Sequence, residues 1–121
     1  MDILNVSFIA LIILFVVWRI LPVKGVRQIT AAQLKQELKD SNANKQFIDV
    51  RTPGEFKGNH IRGFRNIPLD RLLSSSDSLS KHMEVVLICQ SGMRSNKASN
   101  TLKKLGFEMV TNVKGGMNGW S

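Results

Sequence analysis

The stretch Glu84-Val85-Val86-Leu87-Ile88-Cys89-Gln90-Ser91-Gly92-Met93-Arg94-Ser95 decides how this chain is read. Four consecutive branched apolar residues, Val85 to Ile88, suit a strand covered on both faces, as in a parallel sheet between helices. The run ends on Cys89 and passes into a loop, Cys89–Met93, in which Gly92 permits a positive-φ turn. From Arg94 to Leu105 the spacing predicts a helix, with Ala98, Leu102 and Leu105 on one face and Gly106 as its C′ residue. A thiol is thereby set at the carboxyl end of a strand, where open α/β sheets bind ligands.

Upstream, Val26-Arg27-Gln28-Ile29 reads as a strand, and Thr30 can N-cap a helix running through Lys39, in which Leu34 and Leu38 lie one turn apart. Gln46 to Val50 reads as a second strand, stopped by Thr52-Pro53-Gly54, with Glu55 and Phe56 in one helical turn. Gly58 to Gly63 is expected to be loop and Asn66-Ile67 a brief strand. Pro68 can open a short helix through Leu73, before an exposed serine-rich loop at Ser74–Ser80. Downstream, Phe107 to Val113 gives a last strand, followed by Gly115-Gly116 and Trp120. Strands alternating with helices across short loops imply an α/β domain with a mainly parallel sheet. There is no internal repeat.

Residues 1–21 have a different character. Ile3 to Leu21 is apolar except at Asn5, Ser7 and Arg19, and as a helix would be about 28 Å long, near the thickness of a bilayer's hydrocarbon core. Trp18 and Arg19 would lie at the interface, and Pro22 would end the helix. The segment lacks the basic start and small-residue cleavage site of a signal peptide. The expected organisation is a transmembrane anchor at 1–21, a linker at 22–25 and one domain at 26–121. Arg19, Lys24 and Arg27 follow the span and no Lys or Arg precedes it, so the positive-inside rule places the domain in the cytoplasm.

The net charge of +8 falls wholly on residues 22–121, since Asp2 and Arg19 cancel within the first 21. Such a surface attracts anionic lipid or small anions. The basic residues are dispersed, without a Lys/Arg run and with few aromatics, so no nucleic-acid partner is expected. The single cysteine excludes an internal disulfide and suits a reducing compartment. With one Cys and two scattered His, no metal site has ligand spacing, and no cofactor is implied.

A lone Cys after an apolar strand is ordinarily packing. Here a Gly-containing loop, an arginine five residues on and an amphipathic helix directly after it argue for chemistry. Backbone N–H groups at the helix start, the helix dipole and Arg94 would together make an anion cradle favouring a thiolate or a persulfide anion at Cys89.

Over residues 26–120 the chain resembles the rhodanese family, in its short single-domain form. Cys89–Arg94 is similar to the family's C-x4-R loop. Further matches are Asp49-Val50-Arg51 with Glu55-Phe56, Gly58-Asn59-His60-Ile61-Arg62-Gly63 followed by Asn66-Ile67-Pro68, and Gly115-Gly116 with Trp120. The resemblance implies a five-stranded parallel sheet between helices, Cys89 as catalytic residue, and Gln90, Ser91, Gly92, Met93, Arg94 and Ser95 as the substrate- or persulfide-binding loop. Arg94 would contact an anionic sulfur donor. Asp49 and Arg51 would support the loop, Asp49 by fixing loop amides and Arg51 by pairing with Glu55. His60 reads as scaffold, His82 as exposed. Phe64 stands where the family usually carries a smaller residue.

The leading reading is a sulfurtransferase passing a sulfane sulfur from a small anionic donor, such as thiosulfate, to a thiol or protein acceptor through a Cys89 persulfide. With no second cysteine, release needs an external nucleophile, so a sulfur carrier in a relay is a related possibility. A membrane-tethered binding module that uses the fold only as a surface is the rival of another class. A C-x5-R phosphatase or arsenate reductase is disfavoured because Arg94 closes the loop one position early.

Overall fold

The computed structural model describes residues 2–20, 24–40 and 44–121, and of Arg19 and Ile20 the backbone alone. The expected stop at Pro22 and the first half of the 22–25 linker lie outside the described residues.

Helix α1 covers Ile3–Ile20. Every described side chain from Asp2 to Trp18 is exposed, the large apolar ones by 42% or more. The membrane-spanning helix expected over 1–21 is not shown: among the described residues no helix is long and apolar enough to cross a membrane. The eighteen helical residues of α1 give about 27 Å, against a hydrocarbon core of roughly 30 Å.

The domain that follows is a five-stranded sheet flanked by helices. Its strands are β1 (Arg27–Ile29), β2 (Lys45–Asp49), β3 (Arg65–Asn66), β4 (Glu84–Ile88) and β5 (Val110–Val113). They lie in the order β1-β5-β4-β2-β3, and every pairing is parallel. Helices α2 (Ala31–Lys39), α3 (Pro53–Gly58), α4 (Leu72–Ser75) and α5 (Met93–Lys104) supply the crossovers.

Strand β4 is central and wholly buried, which its branched apolar residues require. Val85, Leu87 and Cys89 share one face with Ala98 and Leu102 of α5 and Leu72 of α4. Val86 and Ile88 share the other with Leu34 of α2, Val113 and Met117. This is the period-two alternation of a strand read on two covered faces. Phe64 is buried on the second face, its ring 5.3 Å from that of Phe47, so the larger side chain is absorbed there.

Caps fix the helix starts. Thr30 begins α2 with a reciprocal capping box to Gln33. Thr52 does the same for α3 with Glu55, and Pro53 occupies the first turn, so the expected stop is itself a helix start. The serine-rich stretch departs from the expected exposed loop. After a 3₁₀ turn at Leu69–Arg71, α4 enters it and a second 3₁₀ turn at Ser76–Ser78 continues it, and Ser76 and Leu79 are buried. The serine hydroxyls of Ser74, Ser76 and Ser78 donate to carbonyls three residues back, satisfying the backbone locally.

At the amino end of the sheet, Arg27 pairs with both Glu37 and the buried Glu84, at 2.6 and 2.8 Å, and Lys45 also pairs with Glu37. Thr111 donates to Glu84 at 2.8 Å. This network ties edge strand β1 to α2, β2, β4 and β5, far from Cys89.

Candidate active site

From β2 the chain proceeds outward to β3, and from β4 it proceeds the other way to β5. The β2–β4 boundary is therefore the switch point of the sheet, where diverging connections open a crevice. Val50 N–H extends the ladder past β2 by donating to the Ile88 carbonyl at 2.9 Å. The segments after Asp49 and after Ile88 thus leave the sheet side by side, and all the site residues belong to them or to what they touch.

Cys89 is fully buried one residue beyond β4. Its Sγ accepts the Gly92 N–H at 3.0 Å and lies 3.3 Å from Ser95 Oγ, to which the thiol donates. Ser95 Oγ donates to the Gly92 carbonyl at 3.2 Å. The loop is thereby closed on its sulfur, just before the twelve-residue helix α5. A negatively charged sulfur here receives the Gly92 amide and the dipole of α5, and the Ser95 hydroxyl can turn to donate to it. Gly92 has φ +103°, and a Cβ on it would lie 3.2 Å from Gly115 N.

The loop is clamped from behind by the turn after β5. Met117 and Asn118 donate their N–H groups to the carbonyls of Cys89 and Gln90, at 2.8 and 3.0 Å. That approach requires a glycine: a Cβ on Gly116 would stand 2.2 Å from the Cys89 carbonyl oxygen. Gln90 adds a side-chain bond from Nε2 to Asn118 Oδ1 at 2.8 Å. Ser91 is exposed, and Met93, the first residue of α5, is 63% exposed.

Two arginines flank the loop, and both differ from expectation. Arg51 does not pair with Glu55. It is buried and grips Asp49, with Nε 3.0 Å from Oδ1 and Nη2 2.9 Å from Oδ2. It also donates to the Asn59 carbonyl at 2.6 Å and reaches Gln90 Oε1 at 3.4 Å. Asp49 accepts the Arg51 amide at 3.0 Å; that turn, and not the amides of the cysteine loop, is what it fixes. The carboxylate and the guanidinium are two residues apart on extended chain and so fall on one side, which the sequence spacing alone could have indicated.

Glu55 belongs to Arg94. The pair is bidentate, Nη1 to Oε1 at 2.6 Å and Nη2 to Oε2 at 2.9 Å, with each side chain about one-third exposed. Hydrogen bonding from Arg94 is the main cause that holds the Glu55 carboxyl down at about 2, against partial desolvation and with help from Thr52. Reciprocally, the Glu55 bond raises Arg94, opposed by burial and reinforced by the charges of Glu55, Cys89 and Asp49. Arg94, expected as a contact for a bound anion, is thus already occupied by an internal one.

Beside Arg94 lies a cleft of about 520 Å³ that was not legible in the sequence. Val50, Pro53, Pro68, Leu69 and Leu73 make it mainly apolar, and Arg94, Lys97 and Asp70 mark its polar rim. His60 is outside the cysteine loop: it stacks on Phe56 with ring centroids 3.8 Å apart and bonds to the Phe56 carbonyl at 2.7 Å. His82 is exposed and meets Glu108 at 2.9 Å. Among the described residues no group of three or more His, Cys, Asp or Glu could hold a metal ion.

Known proteins share this arrangement of chain. The model of the rhodanese-like domain matches residues 30–121. An uncharacterized protein of Bacillus subtilis, YqhL, is 34% identical over 116 residues, spanning 96% of this chain and 92% of its own. A protein named sulfurtransferase from Allochromatium vinosum is 30% identical over 96 residues, spanning 79% of this chain and 89% of its own. The crystal structure of a rhodanese-like domain protein from Staphylococcus aureus superposes with a TM-score of 0.73 at 33% identity, covering 79% of this chain and 92% of that one. With the family model covering most of the domain and the expected parallel sheet in place, this chain belongs to the rhodanese-like domain family of sulfurtransferases and sulfur carriers.

Proposed function

We propose that the chain is a sulfurtransferase whose Cys89 takes a sulfane sulfur from a donor such as thiosulfate, holds it as a persulfide and hands it to a thiol or protein acceptor. The observation that carries this reading is the sulfur position, with Sγ 3.0 Å from the Gly92 amide and 3.3 Å from Ser95 Oγ at the start of α5. In the first step the Cys89 thiolate attacks the outer sulfur of thiosulfate. The sulfur–sulfur bond breaks, sulfite leaves with its electron pair, and Cys89 keeps the sulfur as a persulfide anion. In the second step an acceptor thiolate attacks that terminal sulfur and Cys89 leaves as thiolate. Gln90, Ser91, Gly92, Met93, Arg94 and Ser95 form the binding loop in this scheme, with Asp49 and Arg51 as its support.

The test is sulfite release from thiosulfate with an external thiol as acceptor. Wild type turns over and Cys89→Ser does not; equal rates would refute the reading. A second reading is favoured by the presence of only one cysteine in the chain. The domain would then be a carrier that loads at Cys89 and discharges only to a partner protein, seen as a stable persulfide without turnover on small thiols.

We further propose that residues 1–21 attach the domain to a membrane, with the domain on the cytoplasmic side. Supporting this are the apolar surface of α1 on all sides, its exposure from Ile3 to Trp18, and the basic residues Lys24 and Arg27 after it. A helix that is apolar all round requires an apolar environment. Protease treatment of intact cells should spare the domain until permeabilisation, and digestion of the domain beforehand would overturn the orientation.

A further inference from the structure

We propose that Glu55 is a specificity-determining residue that disfavours compact dianionic sulfur donors and leaves the site best suited to weakly charged hydropersulfides. The inference rests on Cys89 being the sulfur-carrying nucleophile.

The argument is one of charge at the site. The chain carries +8, but the two arginines that flank the Cys89 loop do not share in it. Arg51 is neutralised by Asp49 in the interior. Arg94 is neutralised by Glu55 through both of its terminal nitrogens. Lys97 and Asp70, which both line the cleft, add one charge of each sign. Once Cys89 is a thiolate, the local balance is negative. A donor bearing a sulfonate, as thiosulfate does, gains its strongest contact only by drawing Arg94 out of its pair with Glu55. A hydropersulfide has no such group, and its apolar substituent can lie against Val50, Pro68 and Leu69 in the cleft.

Glu55 is built to hold this position. Its Oε1 also accepts the Thr52 N–H at 3.2 Å and the Thr52 hydroxyl at 3.0 Å, as part of the cap of α3. Its carboxylate therefore stays beside Arg94 even when Arg94 turns to a ligand, and it remains ionised throughout the neutral range. Either donor loads the same atom. The Cys89 thiolate attacks the outer sulfur of a hydropersulfide, the donor's S–S bond breaks, the donor leaves as a thiolate with that electron pair, and the proton travels on the transferred sulfur; no external oxidant or reductant is needed.

The variant is Glu55→Gln, whose amide oxygen can keep the Thr52 bonds while the negative charge is lost. In the full-length chain, kcat/KM is measured with thiosulfate and with mercaptoethanol hydropersulfide. The ratio of the two, thiosulfate over hydropersulfide, should rise roughly tenfold, the scale of one charge-assisted contact, chiefly through a lower KM for thiosulfate. A ratio that stays the same or falls, or a thiosulfate KM that rises, would show that Glu55 merely places Arg94. Inorganic sulfate binding, measured by calorimetry in a Cys89→Ser background, provides a readout independent of sulfur chemistry. Adding Glu55→Gln should tighten sulfate binding, whereas equal or weaker binding overturns the proposal. Failure of wild type to load sulfur from either donor defeats the transferase reading, while the sulfate comparison still decides the role of Glu55.

Discussion

Replacing Gly116 by Ala should dismantle the site from behind without touching a group that does chemistry. An added Cβ would stand 2.2 Å from the Cys89 carbonyl oxygen and 2.9 Å from the carbonyl carbons of Cys89 and Gln90. A relaxed carbon contact is about 3.5 Å, so backbone must move by roughly 1 Å, and no flexible side chain is available to yield instead. The movement pulls on the bonds from Met117 and Asn118 that clamp the loop. Two backbone hydrogen bonds at about 1 kcal/mol each, with about 1–2 kcal/mol for Ala at φ +54°, give a loss of about 3–4 kcal/mol. A shift of about 1 Å in the sulfur can further lower its reactivity about a hundredfold. Urea denaturation followed by tryptophan fluorescence measures the first effect, and the rate of sulfur loading the second. Gly119→Ala is the control, because its Cβ would meet only Ala31 Cβ, at 3.8 Å, and it should lie within about 0.5 kcal/mol of wild type. If Gly116→Ala is as stable and as reactive as Gly119→Ala, the clamp has no role in placing Cys89.

Three other outcomes follow from the charged pairs. Arg51→Met should cost about 3–5 kcal/mol in denaturant melts, because it leaves the Asp49 carboxylate buried without its partner; a loss below about 1 kcal/mol would contradict the burial of the pair. Arg94→Ala should keep the fold but slow transfer from thiosulfate about ten- to a hundredfold, since it removes the guanidinium that can turn from Glu55 to a donor; wild-type rates would remove Arg94 from the site. Glu55 titrates lower in the folded chain than its ordinary 4.5, so the stability it contributes is present above that pH and is lost as pH falls toward about 2. The stability gap between wild type and Glu55→Gln should therefore close over that window, and a gap independent of pH between 4.5 and 2 would contradict the ion pair.

The parts of the fold that were legible in the sequence are those where one physical demand dominates. Val85 to Ile88 could hardly be anything but a strand covered on both faces, Thr30 marks a helix start through its capping hydroxyl, and Pro68 marks a turn start through its fixed φ. Long-range pairing was harder to see. Glu55 lies four residues after Arg51, which suggests a local pair, yet the parallel sheet sets the start of α3 beside the start of α5 and gives Glu55 to Arg94. Two features had faint signals. Leu72 and Leu79 are seven residues apart, a helical period that anticipates the buried face of the serine-rich segment. The Gly115-Gly116 doublet marks a close backbone approach, but nothing in the sequence says that it is the Cys89 carbonyl that comes so near. The cleft beside Arg94 is assembled from α3, α5 and the 3₁₀ turn after Pro68, so no contiguous stretch could reveal it.

The central claim is that Cys89 carries sulfur, and intact-mass measurement tests it most directly. After incubation with thiosulfate or a hydropersulfide, wild type should gain the mass of one sulfur atom, lose it again on treatment with an external thiol, and show no gain in Cys89→Ser. A wild-type mass unchanged by every sulfane donor, or an equal gain in Cys89→Ser, would contradict the account.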